Sequence, residues 1–157
     1  PWEAMVAADT GHINVHETGA IEATGHKVIA MPGTDGKLTP AAIADAAAQH
    51  CDTPGVYDEH MVLPRMVYVS DATELGTVYT KAELTALRAA CDAHGMYLYL
   101  DGARLAQALT AVGMTCSRRT CRGCAMRFTS AARKTACSSA RRWSSSTTRS
   151  SRASAAR

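Results

Sequence analysis

Residues 98–109 read "LYLDGARLAQAL". The apolar run up to Leu100 has the pattern of a buried strand, and the residues from Ala103 onward form a helix carrying Arg104. Asp101 stands where one becomes the other. In open α/β sheets ligands bind at the carboxyl ends of the strands, so Asp101 is placed to face one. Asp is also among the best helix N-caps, and the same side chain suits a helix beginning at Ala103. Arg104 likewise has two readings: a planar fork for a carboxylate, or a solvated helix charge.

Upstream, apolar runs alternate with amphipathic segments, the pattern of a parallel sheet with crossover helices. The fold class is α/β. "MVAAD", "KVIAMP", "RMVYVS" and "MYLYL" are the strands. "HINVHETGAIEATG" reads as a helix ending on Gly25, and "TPAAIADAAAQH" as one with Thr39 as N-cap and Pro40 in the first helical position. In "TKAELTALRAACDAHG", Thr80 and Glu83 have the spacing of a capping box, Leu84, Leu87 and Cys91 share a face, and Gly95 ends the helix. The strand-end rule adds His12 after the first strand, and Ser70 with Asp71 after the third. His12 also has a local reading, as a helix-start histidine bonded to backbone.

The chain of 157 residues suffices for one domain. It contains no run of about eighteen apolar residues, and "PWEAMVAADT" is neither a basic leader nor an apolar signal core, so the chain reads as soluble and cytoplasmic. It starts without Met, as a piece of something longer would. Composition divides it in two. Residues 1–114 hold all 14 acidic side chains against 6 Lys and Arg, a net charge of −8, whereas 115–157 hold 11 basic residues and no acid.

The stretches "AADTGHINVHETGAIEATGHKV", "DGKLTP", "VYVSDATELGTVYTKAEL" and "LYLDGARLAQAL", in that order over nearly all of residues 3–113, resemble the low-specificity threonine aldolases. These belong to the aldolase and β-eliminating lyase group of fold type I pyridoxal-phosphate enzymes. The resemblance implies part of a three-layer large domain in residues 1–113, homo-oligomeric in the intact family. It also implies retro-aldol cleavage of a small β-hydroxy amino acid, threonine to glycine and acetaldehyde, with pyridoxal phosphate as cofactor. Asp101 takes the place of the carboxylate beside the ring nitrogen, where charge pairing raises that nitrogen's pKa. His12 takes that of the histidine stacked on the ring, Arg104 that of the arginine near the substrate carboxylate, and Ser70 is the further cofactor-binding candidate. His16, Glu17, His26 and His94 read as structural or exposed. Some aldolases carry "THNG" after the third strand; here "TELG" puts Glu74 in the histidine's place.

The family's "GGTKNG", with the lysine that holds the cofactor as a Schiff base, is not printed after Asp101, and its glycine-rich phosphate segment belongs before Pro1. Residues 114–157 read as a basic Ser/Arg-rich tail too poor in apolar periodicity to form a packed core. Its Cys121 and Cys124, flanked by Cys116 and Cys137, suggest a thiolate metal site, but the spacing is loose and no metal is assigned. A non-enzymatic alternative has this tail binding RNA or an acidic partner. A frame reading accounts for it differently. If each true codon is the last base of one printed residue followed by the first two of the next, residues 126–136 permit "AFYIGGTKNG". From Met114 the same shift permits "DLLTADLSRVCD" ahead of it, and from Ala136 the apolar "LLFGEALVIVN". The printed chain then leaves the family frame between about Thr110 and Met114, and lacks a catalytic lysine in its native setting.

Overall fold

The computed structural model describes residues 2–51, 56 and 58–110, together with the backbone of 127–130. In chain order the elements are β1 (Glu3–Ala8), α1 (His12–Val15), β2 (Lys27–Met31), α2 (Pro40–Gln49), β3 (Leu63–Ser70), α3 (Lys81–Ala93), β4 (Tyr97–Gly102), α4 (Leu105–Ala108) and β5 (Arg127–Ser130). The five strands form one parallel sheet in the order β2-β1-β3-β4-β5. The connection from β1 to β2 runs one way and that from β2 to β3 runs the other, so the order reverses between β1 and β3. A crevice opens at such a reversal, at the carboxyl ends of the strands.

One sheet face is closed. Val6, Ile29, Val67, Val69, Leu98 and Leu100 pack against Ile43 and Ala46 of α2 and Leu84, Leu87 and Cys91 of α3 in a single buried cluster. The helix starts are built as their sequences dictate. Thr39 accepts from the Ala42 amide at 3.2 Å with Pro40 next to it. Thr80 and Glu83 exchange both capping-box bonds, at 3.2 and 2.6 Å. These satisfy amides that a helix start otherwise leaves orphaned.

The opposite face holds a smaller cluster, Ala7, Ile13 and Tyr68, with Met5, Ile21, Val28 and Tyr99 partly buried around it. Its cover comes from α1, and here the structure departs from the helix expected over residues 12–25. The helix stops at Val15, Thr18 and Gly19 take left-handed φ values of 51° and 73°, and a short 3-10 turn at Glu22–Thr24 ends on Gly25 at φ 87°. Two consecutive left-handed residues cannot continue a right-handed helix.

Two further differences concern the C-terminal side. The strand β4 runs through Gly102, and α4 begins only at Leu105 with Arg104 at its N-cap, so Asp101 does not cap a helix starting at Ala103. It does accept the Ala103 amide, at 2.9 Å, in the turn between them. Beyond residue 110, Arg127–Ser130 add a fifth strand beside β4, where no strand was expected from the sequence. A strand edge pairs through backbone groups and places little demand on side-chain identity. The rest of 114–157, including the four cysteines and Lys134, lies outside the described residues.

Candidate functional site

Side chains alternate along a strand and partners in a parallel ladder share a face. The pairings Tyr68↔Tyr99 and Ser70↔Asp101 therefore bring Tyr68, Ser70, Tyr99 and Asp101 to the face that α1 covers. Asp101 is tied down at both oxygens. Its Oδ2 accepts from the Tyr68 hydroxyl at 2.6 Å, and its Oδ1 from the Ala103 amide. Burial pushes the Tyr68 phenol up from its ordinary range, and the carboxylate it donates to pushes it further, so Tyr68 stays a proton donor. Tyr68 and Tyr99 stack with ring centroids 5.6 Å apart.

His12 arrives at the same end and face from β1. The chain turns so tightly at Gly11 that a Cβ there would meet the Ala8 carbonyl oxygen at 2.8 Å, which admits only glycine. Asn14 pins α1 by donating to the Asp9 carbonyl at 2.7 Å, and Ile13 packs beside Ala7 and Tyr68. The neighbour of His12 on α1, Ile13, thus packs against the tyrosine that holds Asp101. The Nδ1 of His12 lies 2.7 Å from Glu17 Oε1, and its ring centroid 5.0 Å from that of His16.

The segment after β3 holds the other half of the site. Ser70 Oγ donates to Glu74 Oε1 at 2.9 Å, and Arg104 Nη2 donates to the same oxygen at 2.7 Å while its Nε donates to the Ala72 carbonyl at 3.1 Å. Glu74 is nearly buried, and Arg104 borders an open hollow of ≈ 320 Å³ with Ala72, Thr73, Val78 and Gln107. Asp71, next to Ser70, points elsewhere. It is fully buried, its Oδ1 accepts from the Tyr79 amide at 3.2 Å, and its Oδ2 has no hydrogen-bond partner among the described residues. Burial pushes this carboxyl up to about 6 despite that amide and the positive charge of Lys37.

All four sequence candidates, His12, Ser70, Asp101 and Arg104, therefore stand at the carboxyl ends of β1, β3 and β4. Sequence reasoning missed three residues that hold them. Tyr68 could have been found, because it shares its face with Ser70. Glu74 had a place but no partner, and Glu17 was set aside as structural or exposed. Among the described residues no group of three or more His, Cys, Asp and Glu is gathered as a metal would require, and no helix is long and apolar enough to cross a membrane.

Residues 1–137 match the β-eliminating lyase family. The chain belongs to that family. The match runs past Gly113 and takes in β5. The low specificity L-threonine aldolase of Pseudomonas aeruginosa is 37% identical over 114 residues, 71% of this chain and 31% of that protein. The enzyme of the same name from Pseudomonas sp. strain NCIMB 10558 is 35% identical over 116 residues, 73% of this chain and 32% of that protein. Among solved structures, the threonine aldolase of Leishmania major superposes with a TM-score of 0.76 at 48% identity, covering 82% of this chain and 36% of its own. An aminotransferase from Mycobacterium tuberculosis, at TM-score 0.53 and 19% identity over 76% of this chain and 27% of its own, shares the fold. The chain spans about a third of the length of the family relatives it matches.

Proposed function

We propose that this chain is part of a threonine-aldolase-like lyase that uses pyridoxal phosphate, and that the intact protein cleaves threonine to glycine and acetaldehyde. The observation that carries the reading is Asp101: a carboxylate oriented by Tyr68 and Ala103, at the carboxyl end of β4, on the face shared with α1. That donor set fits the cofactor's ring nitrogen. When bound, the cofactor supplies an electron sink for carbon–carbon cleavage. Asp101 keeps the ring nitrogen protonated, because a fixed negative charge beside it favours the charged form. His12 and Ser70 line the remaining cofactor contacts on the same side. Arg104 binds the substrate carboxylate through the Nη1 end of its guanidinium, which has no partner among the described residues once Ala72 and Glu74 hold the other edge.

The reading includes the frame. A single-base change near codon 112 accounts for the loss of "GGTKNG", the four tail cysteines and the change of composition together, and leaves the basic tail with no nucleic-acid role. It also makes the printed chain inactive on threonine. Independently of the frame, the family likeness supports a homo-oligomeric, cytoplasmic intact protein. Sequencing the gene across codons 108–116 tests the frame directly, and an unbroken frame there refutes it. In the intact, frame-restored protein, Asp101→Asn should lower threonine cleavage at least ~100-fold, the scale of a lost charge at a reacting centre. Unchanged turnover in that variant overturns the cofactor assignment.

A further inference from the structure

The pair His12–Glu17 owes its existence to the break in the helix. On a regular helix, residues five apart are rotated about 140° from each other and do not meet. Here α1 ends at Val15, and His16 at its C-cap leaves the helical path with φ −124° and ψ −20°, which redirects the chain just before Glu17. Glu17 Oε1 thereby comes within 2.7 Å of His12 Nδ1, a hydrogen-bond distance. Nδ1 must then carry the proton, since an ionised carboxylate only accepts. The other ring nitrogen, Nε2, has no partner among the described residues. The backbone adds to the constraint: His16 donates its amide to the His12 carbonyl at 2.9 Å, and Ala20 donates to the Glu17 carbonyl at 3.0 Å, so both ends of the pair are held.

We propose that Glu17 is the positioning residue of His12: it accepts the Nδ1 proton, fixes the plane and tautomer of the imidazole, and leaves Nε2 as the acceptor at the strand-end site. In a neutral histidine the tautomer is set by the hydrogen bond one nitrogen makes, and a carboxylate on the far nitrogen makes the near one a better electron donor. Both side chains are partly exposed, so the pair adds little stability; its effect is to select one of two ring states. The meaning for catalysis, an electron-richer ring in fixed orientation against the cofactor, rests on the lyase reading; the tautomer itself does not.

The test is a long-range proton–nitrogen correlation spectrum of the histidine rings of the full chain, without cofactor, at a pH where the imidazoles are neutral. His12 should carry its proton on Nδ1. In Glu17→Ala the two ring-nitrogen shifts of His12 should invert, to the Nε2-protonated form that an unconstrained side chain favours, while His16→Ala leaves them in place. A wild-type His12 protonated on Nε2 overturns the proposal by itself, whatever the variants do. So does an unchanged Nδ1-protonated ring in Glu17→Ala. Because no cofactor is present, failure here leaves the Asp101 result untouched, and failure of the Asp101 test leaves this one standing.

Discussion

The two faces of the sheet solve the same packing problem in opposite ways. On the closed face, Val67, Leu98 and Leu100 are wholly buried beneath α2 and α3, and the side chains are apolar. On the other, the same strands present Tyr68, Ser70, Tyr99 and Asp101, and the cover among the described residues is a four-residue helix and a turn. A closed apolar face needs only shape. The second face buries the Tyr68 and Ser70 hydroxyls and partly buries Asp101, so each has to be held by a partner across the sheet or across a loop. Apolar packing therefore dominates one side, and hydrogen-bonded polar groups gather on the other.

Substitutions on the two faces can break that division. The largest effect should come from Leu98→Ala, which opens a cavity in the closed core beside α3 and should cost about 3–4 kcal/mol in chemical denaturation. Tyr97→Ala, one residue away and 41% exposed, should cost about 1 kcal/mol or less. Equal costs would abolish the distinction. Next is Asp71, the one carboxylic acid among the described residues that is fully buried in the apolar packing. Its carboxyl rises from 3.8 to about 6 on folding, so the folded state holds the proton more tightly than the unfolded chain. Its contribution is complete below about pH 4 and is lost as pH rises through 6. Asp71→Asn should accordingly stabilise the protein at pH 7.5 by roughly 2–3 kcal/mol and remove that part of the pH dependence. A variant less stable than the parent at pH 7.5 contradicts this.

Smaller effects sharpen the contrast. Tyr68→Phe leaves Asp101 Oδ2 without its phenol donor and should cost about 1–2 kcal/mol, as hydrogen bonds to charged groups do. Thr80→Ala removes one half of the capping box of α3 and should cost about 1 kcal/mol, with no change in the environment of the Tyr68–Tyr99 pair by near-ultraviolet circular dichroism.

The sequence disclosed the closed face almost entirely, because its signals are local. The capping box of Thr80 and Glu83, the Pro40 start and the spacing of Leu84, Leu87 and Cys91 need no knowledge of the fold. Asp101 was legible for the same reason, as a charge at the end of an apolar run. What stayed hidden depends on tertiary placement. Tyr68 and Asp101 meet only because β3 and β4 are neighbours in a given register, and Glu74 finds Arg104 across thirty residues. Glu17 was misjudged because a continuous helix over 12–25 points it away from His12, whereas the chain leaves that helix at His16, one residue before Glu17. The strand at Arg127–Ser130 gave no side-chain signal, since its ladder is made by backbone alone.

The sheet order also sets a timetable. Of the described strands β1 comes earliest yet lies inside the sheet, between β2 and β3, with Met5 opposite both Val28 and Met66. As the polypeptide emerges, β1 can pair at once with β2 through a short connection. Its other edge must wait until residues near 66 exist, and that pairing closes a long loop, a step whose entropic cost falls before any contact compensates for it. Until then the edge of β1 that faces β3 in the finished sheet lacks that partner, and the β1–β2 unit waits on a contact more than fifty residues away in sequence.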